Sequence, residues 1–314
     1  MSQFAKINKI FIPNGKRVIC ISDIHGELDL LKRLLSKVGF CSDDFLILLG
    51  DLYTKGNQCH ETLKFCIGIC DNPNVFALRG NADWKCEYLS KDEAGWLDNL
   101  PHIIDAGDYV FVHSGLSSNY FCNPESELYL KYNNFMESAS KFEKWVIVGH
   151  WPVSMYCKIL CSNPIINEQK KIISIDGGNV IKPDGQLNAF IIEDGRFSFE
   201  YVDNLPDYTV KKSHSESGGN FSVTWPNRFV EIVEDGERLC RVKHLATGKI
   251  IVVPKSQIWI DDDKLCCCDM ATDYYLPCNA GDVVSIVEEF DDRLFVKHKG
   301  VSGWLNEKFY LLPV

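Results

Sequence analysis

From residue 17 onward, short continuous apolar runs alternate with segments whose apolar positions recur every three or four residues. "RVICISD" (17–23) reads as a strand buried on both faces, and "LDLLKRLLSKVGF" (28–40) spaces its leucines one helical turn apart. "DFLILLGD" (44–51), "CHETLKFCIGIC" (59–70) and "NVFALRG" (74–80) repeat the alternation as strand, helix and strand. That order predicts a parallel sheet whose crossover helices cover its faces. Further strands are expected at 108–115, 144–150, 170–178, 187–194 and 196–203, the last two flanking Gly195 as a hairpin. The sum is an α/β fold, a sandwich of two sheets flanked by helices.

The pattern changes after Asn204. "KKSHSESGGN" (211–220) is polar and rich in glycine and serine, so 206–222 reads as a linker that closes a first domain, 1–205. Beyond it only short strands are signalled, as in small all-β modules. They divide into a possible barrel over 223–265 and another over 266–314.

Composition narrows the function classes. A formal charge of −10 argues against general nucleic-acid binding, which depends on lysines and arginines neutralising phosphates. No apolar run has the length of a membrane span. The first residues, "MSQFAKINKIFIPNGKR", lack the apolar core of a signal peptide. The 14 cysteines show no C-x-x-C or cysteine–histidine zinc spacing, and several sit in apolar runs as small hydrophobes. A reducing, cytoplasmic setting is expected.

Polar residues of one kind recur at one place, the carboxyl ends of the expected strands. Asp23 and His25 follow the first, Asp51 ends the second, Asn81 follows the third, and His113 and His150 close two later ones. Strand ends and their loops converge along that edge of an open α/β sheet, where sites form. A lone strand-end aspartate is most often a turn or cap residue, but five such ends in one chain are a pattern. Carboxylate, amide and imidazole together suit Mn²⁺, Fe or Zn²⁺ better than a thiolate-seeking metal.

These residues also carry a resemblance. "SDIHG" (22–26), "LGDLYTKG" (49–56), "LRGNAD" (78–83), "FVHSGL" (111–116) and "VGHWP" (148–152) resemble, in order, the motifs of metallophosphoesterases of the phosphoprotein phosphatase type. "ISIDGG" (173–178) is similar to the segment those enzymes place after the last histidine. The resemblance implies two divalent ions, manganese first, with Fe or Zn²⁺ as alternatives. Asp23, His25 and Asp51 would hold one; Asp51 would bridge to a second, held also by Asn81, His113 and His150. Such a pair, about 4 Å apart, clamps phosphate oxygens. It further implies a hydrolase acting on a phosphorylated protein or a small phosphoester.

Three positions depart from the family pattern together. The proton-donating histidine expected after the ligand asparagine is Ala82, its orienting aspartate is Thr54, and the phosphate-gripping arginine is Lys55, a point charge and not a bidentate fork. No arginine occurs in 115–195 to supply the second grip. Loss of a general acid costs on the order of 10²–10⁴ in rate. Three readings stay open: a protein serine/threonine phosphatase, a phosphodiesterase or dinucleoside polyphosphate hydrolase whose leaving group needs little protonation, and a weakly active phosphate-binding regulator or scaffold.

The last segment (271–314) resembles an SH3-like barrel, with Tyr274, Tyr275, "GDVV", "GW" and Tyr310 in the usual order, and 228–254 is similar more distantly. The resemblance implies a peptide-binding groove on Tyr274, Tyr275 and Tyr310 and a protein partner, or else a barrel in which the same rings are core.

Overall fold

The computed structural model describes residues 5–83, 89–117, 129–215, 218–290, 293–306 and 311–313. Two compact units divide the chain: Met1–Val153 with Ser162–Asn204, and Ser154–Cys161 with Leu205–Val314.

In the first unit the elements run β1 (Ile7–Lys9), β2 (Val18–Ile21), α1 (Leu28–Lys37), β3 (Phe45–Leu48), α2 (Cys59–Ile69), β4 (Val75–Ala77), α3 (Lys91–Asn99) and β5 (Ile103–Ala106). They continue as β6 (Tyr109–Val112), α4 (Phe135–Ser138), β7 (Trp145–Val148), β8 (Ile165–Asn167), β9 (Ile172–Ser174), β10 (Leu187–Glu193) and β11 (Arg196–Val202). One sheet has the order β11-β10-β2-β3-β4, the other β1-β5-β6-β7-β9-β8. β2, β3 and β4 pair in parallel, and β10 and β11 form the hairpin around Gly195.

Strand alternation explains the layers. Ile19 and Ile21 of β2, with Leu46 and Leu48 of β3, face the helices and pack on Leu30, Leu31 and Leu34 of α1. Val18, Cys20, Phe45 and Ile47 point the other way and meet Ile104, Phe111, Ile147 and Ile173 of the second sheet. A strand buried on both faces must be apolar throughout, which is why β2 and β3 read as unbroken runs. Each leucine α1 buries contributes on the order of 1.5–3 kcal/mol, and the spacing of these leucines is what fixes the helix against the sheet.

The hydrophobic pattern does not mark β1, α3, α4, β5 or β8. Among them α3 opens on a capping box: Ser90 Oγ accepts from the Glu93 N–H at 3.2 Å, and the Glu93 carboxylate accepts from the Ser90 N–H at 2.9 Å. The S-x-x-E spacing of that motif is visible in the sequence.

The second unit contains β12 (Asp207–Val210), β13 (Val230–Asp235), β14 (Leu239–His244), β15 (Ile250–Pro254), β16 (Ile258–Asp261), β17 (Lys264–Cys267), β18 (Val283–Glu289), β19 (Arg293–His298), β20 (Val301–Asn306) and β21 (Leu311–Pro313). These form an antiparallel sheet β20-β19-β18-β12-β21, a three-stranded sheet β13-β14-β15 and the pair β16-β17. Two segments here differ from composition alone. Asp207–Val210, within the stretch read as linker, lies between β18 and β21, and His214 exchanges main-chain hydrogen bonds with Cys278. Strand pairing uses backbone groups that every residue but proline has, so polar side chains do not prevent it.

Tyr274, expected on a peptide groove, is 8% exposed and packs with Val210, Leu276, Val284 and Leu305 in a core cluster. Tyr275 is half-buried, its ring 6.1 Å from that of His214. Tyr310 lies outside the described residues. No helix among the described residues is long and apolar enough to cross a membrane.

Candidate metal centre and active site

The carboxyl ends of β2, β3, β4, β6 and β7 bring the six expected residues to one place. Ligand atoms of Asp23, His25 and Asp51 lie within 4.8 Å of one another, all three side chains buried. Asp51 stands between two imidazoles: its Oδ2 is 3.8 Å from His25 Nε2 and its Oδ1 3.5 Å from His113 Nε2. His113 Nε2 is 3.0 Å from Asn81 Oδ1, and the ring centroids of His113 and His150 are 5.2 Å apart. The His150 main-chain N–H donates to Asp23 Oδ2 at 2.9 Å, and Ser22 Oγ also bonds that oxygen.

The backbone is bent to present them. Asp23, His25, Asp51, Lys55 and His150 all have φ between 51° and 83°, the left-handed region that non-glycine residues avoid. Such strain costs roughly 1–3 kcal/mol per residue and collects where function holds it in place. Two glycines permit the loops to meet. A Cβ on Gly80 would lie 2.1 Å from the Asp51 nitrogen, and one on Gly149 would lie 1.7 Å from Ser22 Oγ.

Asp83 has no role that the sequence pattern assigns. Its Oδ2 accepts from the N–H groups of Asp51 (2.9 Å) and Gly80 (2.8 Å), and its Oδ1 from that of Leu52 (2.7 Å). Tyr53 Oη donates to its main-chain carbonyl at 2.9 Å. One carboxylate thus ties the loop carrying Asp51 to the loop carrying Asn81. Asp176 and Asn133 also stand at the site, outside the six expected positions. Asp176 is buried, with Oδ1 accepting from the Gly178 N–H at 2.8 Å and Oδ2 making no hydrogen bond among the described residues. Asn133 Oδ1 is 2.9 Å from His150 Nε2. The signal for Asp176 is the "ISIDGG" stretch; nothing local marks Asn133.

Charge and burial conflict here in a way that fits a cation. His113 Nδ1 donates to the Leu49 carbonyl at 2.8 Å, which leaves the lone pair of a neutral ring on Nε2, facing oxygens of Asn81 and Asp51. Asp23 Oδ1 and His25 Nδ1 are buried and make no hydrogen bond among the described residues. Burial, with the neighbouring Asp51 charge, pushes the Asp83 carboxyl up to about 7, and burial with Asp23 pushes Asp176 well above the carboxylate range. Burial lowers His25 to about 4 and, joined by His113 and Lys131, lowers His150 to about 3. At His113 burial is outweighed by the carboxylates of Asp51 and Asp23, and its pKa is raised. Carboxylate, amide and imidazole donors crowded together in a buried space are what a divalent ion would relieve.

Ala82 and Lys55 complete the arrangement. The Ala82 side chain is buried, and its N–H donates to Asp51 Oδ1 at 2.7 Å. Lys55 Nζ is 3.2 Å from His25 Nε2. Thr54 Oγ1 is buried and makes no hydrogen bond among the described residues.

Residues 16–180 match the calcineurin-like phosphoesterase family, a stretch that takes in all six of these residues. The chain belongs to that family. It is 31% identical over 119 residues to a symmetrical bis(5'-nucleosyl)-tetraphosphatase of Vibrio campbellii, covering 31% of this chain and 44% of that protein. It is 42% identical over 66 residues to the serine/threonine-protein phosphatase PP1-delta of Caenorhabditis elegans, 20% of this chain and 22% of that one. The chain thus spans less than half the length of these relatives. A solved structure of a candidate diadenosine tetraphosphatase aligns over 64% of this chain and 100% of its own length, at a TM-score of 0.50 and 21% identity, a likeness of fold.

Proposed function

We propose that this chain is a metal-dependent hydrolase that cleaves phosphoanhydrides of the dinucleoside polyphosphate kind in preference to alkyl phosphomonoesters. The observation that carries the reading is Ala82, a buried methyl group directly beside Asn81, where the resembled phosphatases have a proton donor. An alkoxide leaving from a serine phosphate is strongly basic and needs a proton. A nucleotide leaving from an anhydride departs as a stabilised phosphate anion and needs little help. The names of the tetraphosphatase relatives, at 31% and 35% identity over 119 and 92 residues, support the same substrate class.

Asp23, His25 and Asp51 would hold one divalent ion and Asp51, Asn81, His113 and His150 a second, with manganese suited to this donor set. Bound there, the ions supply Lewis-acid polarisation of the phosphoryl group and activation of water at neutral pH. The chain's own residues do the rest. Asp83 fixes the separation of the Asp51 and Asn81 loops, and Leu49 and Asn133 set the orientations of the His113 and His150 rings. Lys55 brings a positive charge beside His25, able to draw in phosphate as a point charge.

A substrate comparison on the full chain with Mn²⁺ tests this. Diadenosine tetraphosphate should give the highest kcat/KM, an aryl phosphate less, and a phosphoserine peptide least, by at least 10²-fold. A phosphoserine peptide hydrolysed as efficiently as the anhydride would overturn the reading. Turnover of none, with metal and phosphate still bound, would make the chain a binding protein.

A further inference from the structure

Within the second unit, β16 pairs with β17 on one side and has no strand on its other side among the described residues. Edge strands in soluble proteins are commonly blunted by lysine, proline or a bulge. The sequence of β16, Ile-Trp-Ile-Asp, has no lysine or proline, its one charge, Asp261, is paired with Arg228, and Ile260 is 71% exposed. On the opposite face of the strand Trp259 stacks with Trp225, ring centroids 6.4 Å apart and planes at 24°, and Trp225 is 44% exposed.

That aromatic pair is held in place. The Arg228 guanidinium lies 4.1 Å from the Trp225 ring centroid, donates to the Trp225 carbonyl at 3.0 Å and forms an ion pair with Asp261. A large ring already fixed on the surface loses little freedom when something packs on it. The charge beside it is one-sided. Arg228 compensates Asp261, while Asp262 and Asp263 in the following turn make no ion pair among the described residues. Lys264 is turned over the Phe229 ring, 5.2 Å from its centroid.

We propose that this edge binds an extended basic segment of a partner protein, which adds a strand to β16, packs on Trp225 and sets its cationic side chains against Asp262 and Asp263. Main-chain pairing supplies affinity in such strand addition, and alternate side chains supply selectivity. A basic segment is favoured over a second copy of this chain because the copy carries the same net charge of −10 and is repelled at long range. The inference concerns the second unit and stands apart from the phosphoesterase reading.

The probe is a fluorescein-labelled decapeptide alternating arginine and valine, with a glutamate–valine peptide as control, titrated against the full chain by anisotropy. The arginine peptide should bind saturably, more weakly at higher salt, and at least tenfold more tightly than the control. Hydrogen exchange should slow at Ile258–Asp261 when it is present. Trp225→Ala should weaken binding about tenfold. The pair Asp262→Asn with Asp263→Asn, which keeps residues tolerant of the left-handed turn, should weaken it about fivefold. No saturable binding up to millimolar peptide would overturn the proposal, as would equal binding of the two peptides. Concentration-dependent self-association with exchange protection at β16 would assign the edge to a second copy instead.

Discussion

Asp83 receives three main-chain N–H groups on one carboxylate, and those groups belong to the two loops that deliver Asp51 and Asn81. Asparagine has nearly the same shape but presents an NH₂ that cannot accept, so at least one of the three bonds becomes a donor facing a donor. Asp83→Asn is therefore expected to weaken divalent-metal binding by about 10–100-fold, the usual cost of losing an outer partner of a metal ligand. Calorimetric titration of Mn²⁺ into metal-free protein measures it. Unchanged affinity in a folded variant would show that the loop spacing does not depend on this carboxylate. The residue closes the stretch "LRGNAD", yet its role is illegible there. A sequence shows an aspartate two positions after Asn81; that it reaches back to Leu52 is known only once the loops are folded together.

At the scale of elements, the apolar runs were legible because burial on both faces leaves no polar position to confuse strand with loop. β2, β3 and the leucine stripe of α1 follow from pattern, with carboxyl ends two or three residues too generous. β5 escaped because "IIDA" is too short to show a period, and α3 because its only clear signal was the Ser90–Glu93 cap. The turns between elements are where the site is made, and they tolerate least. Gly149 follows β7, and a Cβ at this position would lie 1.7 Å from Ser22 Oγ and 2.4 Å from Asp23 Oδ2. Gly149→Ala should displace Asp23 and the His150 N–H that bonds it, removing metal binding at that end of the site and destabilising the fold by about 1–3 kcal/mol. Metal stoichiometry together with a denaturant midpoint tests it; wild-type values for both would show that the turn has room to yield.

The whole molecule is less modular than the composition of 206–222 suggests. Residues 154–161 lie between two stretches of the first unit in sequence yet belong to the second, and Leu160 is 1% exposed among Met270, Phe295 and Trp304. Nothing in "SMYCKILC" (154–161) announces this, because an apolar residue in a short segment fits any core. A chain ended after Asn204 loses those partners and should be poorly soluble, with Leu160→Ser restoring much of the yield; a soluble truncation of unaltered melting temperature would contradict this. Acid sensitivity is also a property of the whole fold. His102, buried beside Arg79 and Lys6 and accepting the Lys6 N–H on Nδ1 at 2.9 Å, is lowered to about 4 from its ordinary 6.5. A histidine kept neutral in the fold contributes stability that is complete above its unfolded value and is lost as pH falls from about 6.5 toward 4. The melting temperature should fall across that interval, and less steeply in His102→Gln; equal slopes would remove His102 from the account of acid sensitivity.

The reading of the active site rests on Ala82, and leaving-group dependence tests it most directly. Rates for a series of aryl phosphates of rising phenol pKa, extended to an alkyl phosphate, should fall steeply in the wild-type chain, since nothing at position 82 protonates the departing oxygen. Ala82→His alone should change the slope little, because Thr54 cannot orient the ring. Ala82→His with Thr54→Asp should flatten it and raise the alkyl rate by roughly 10²-fold, more than the product of the single effects. A wild-type slope already flat, or a double variant gaining equally on aryl and alkyl substrates, would mean that proton donation is not what this site lacks.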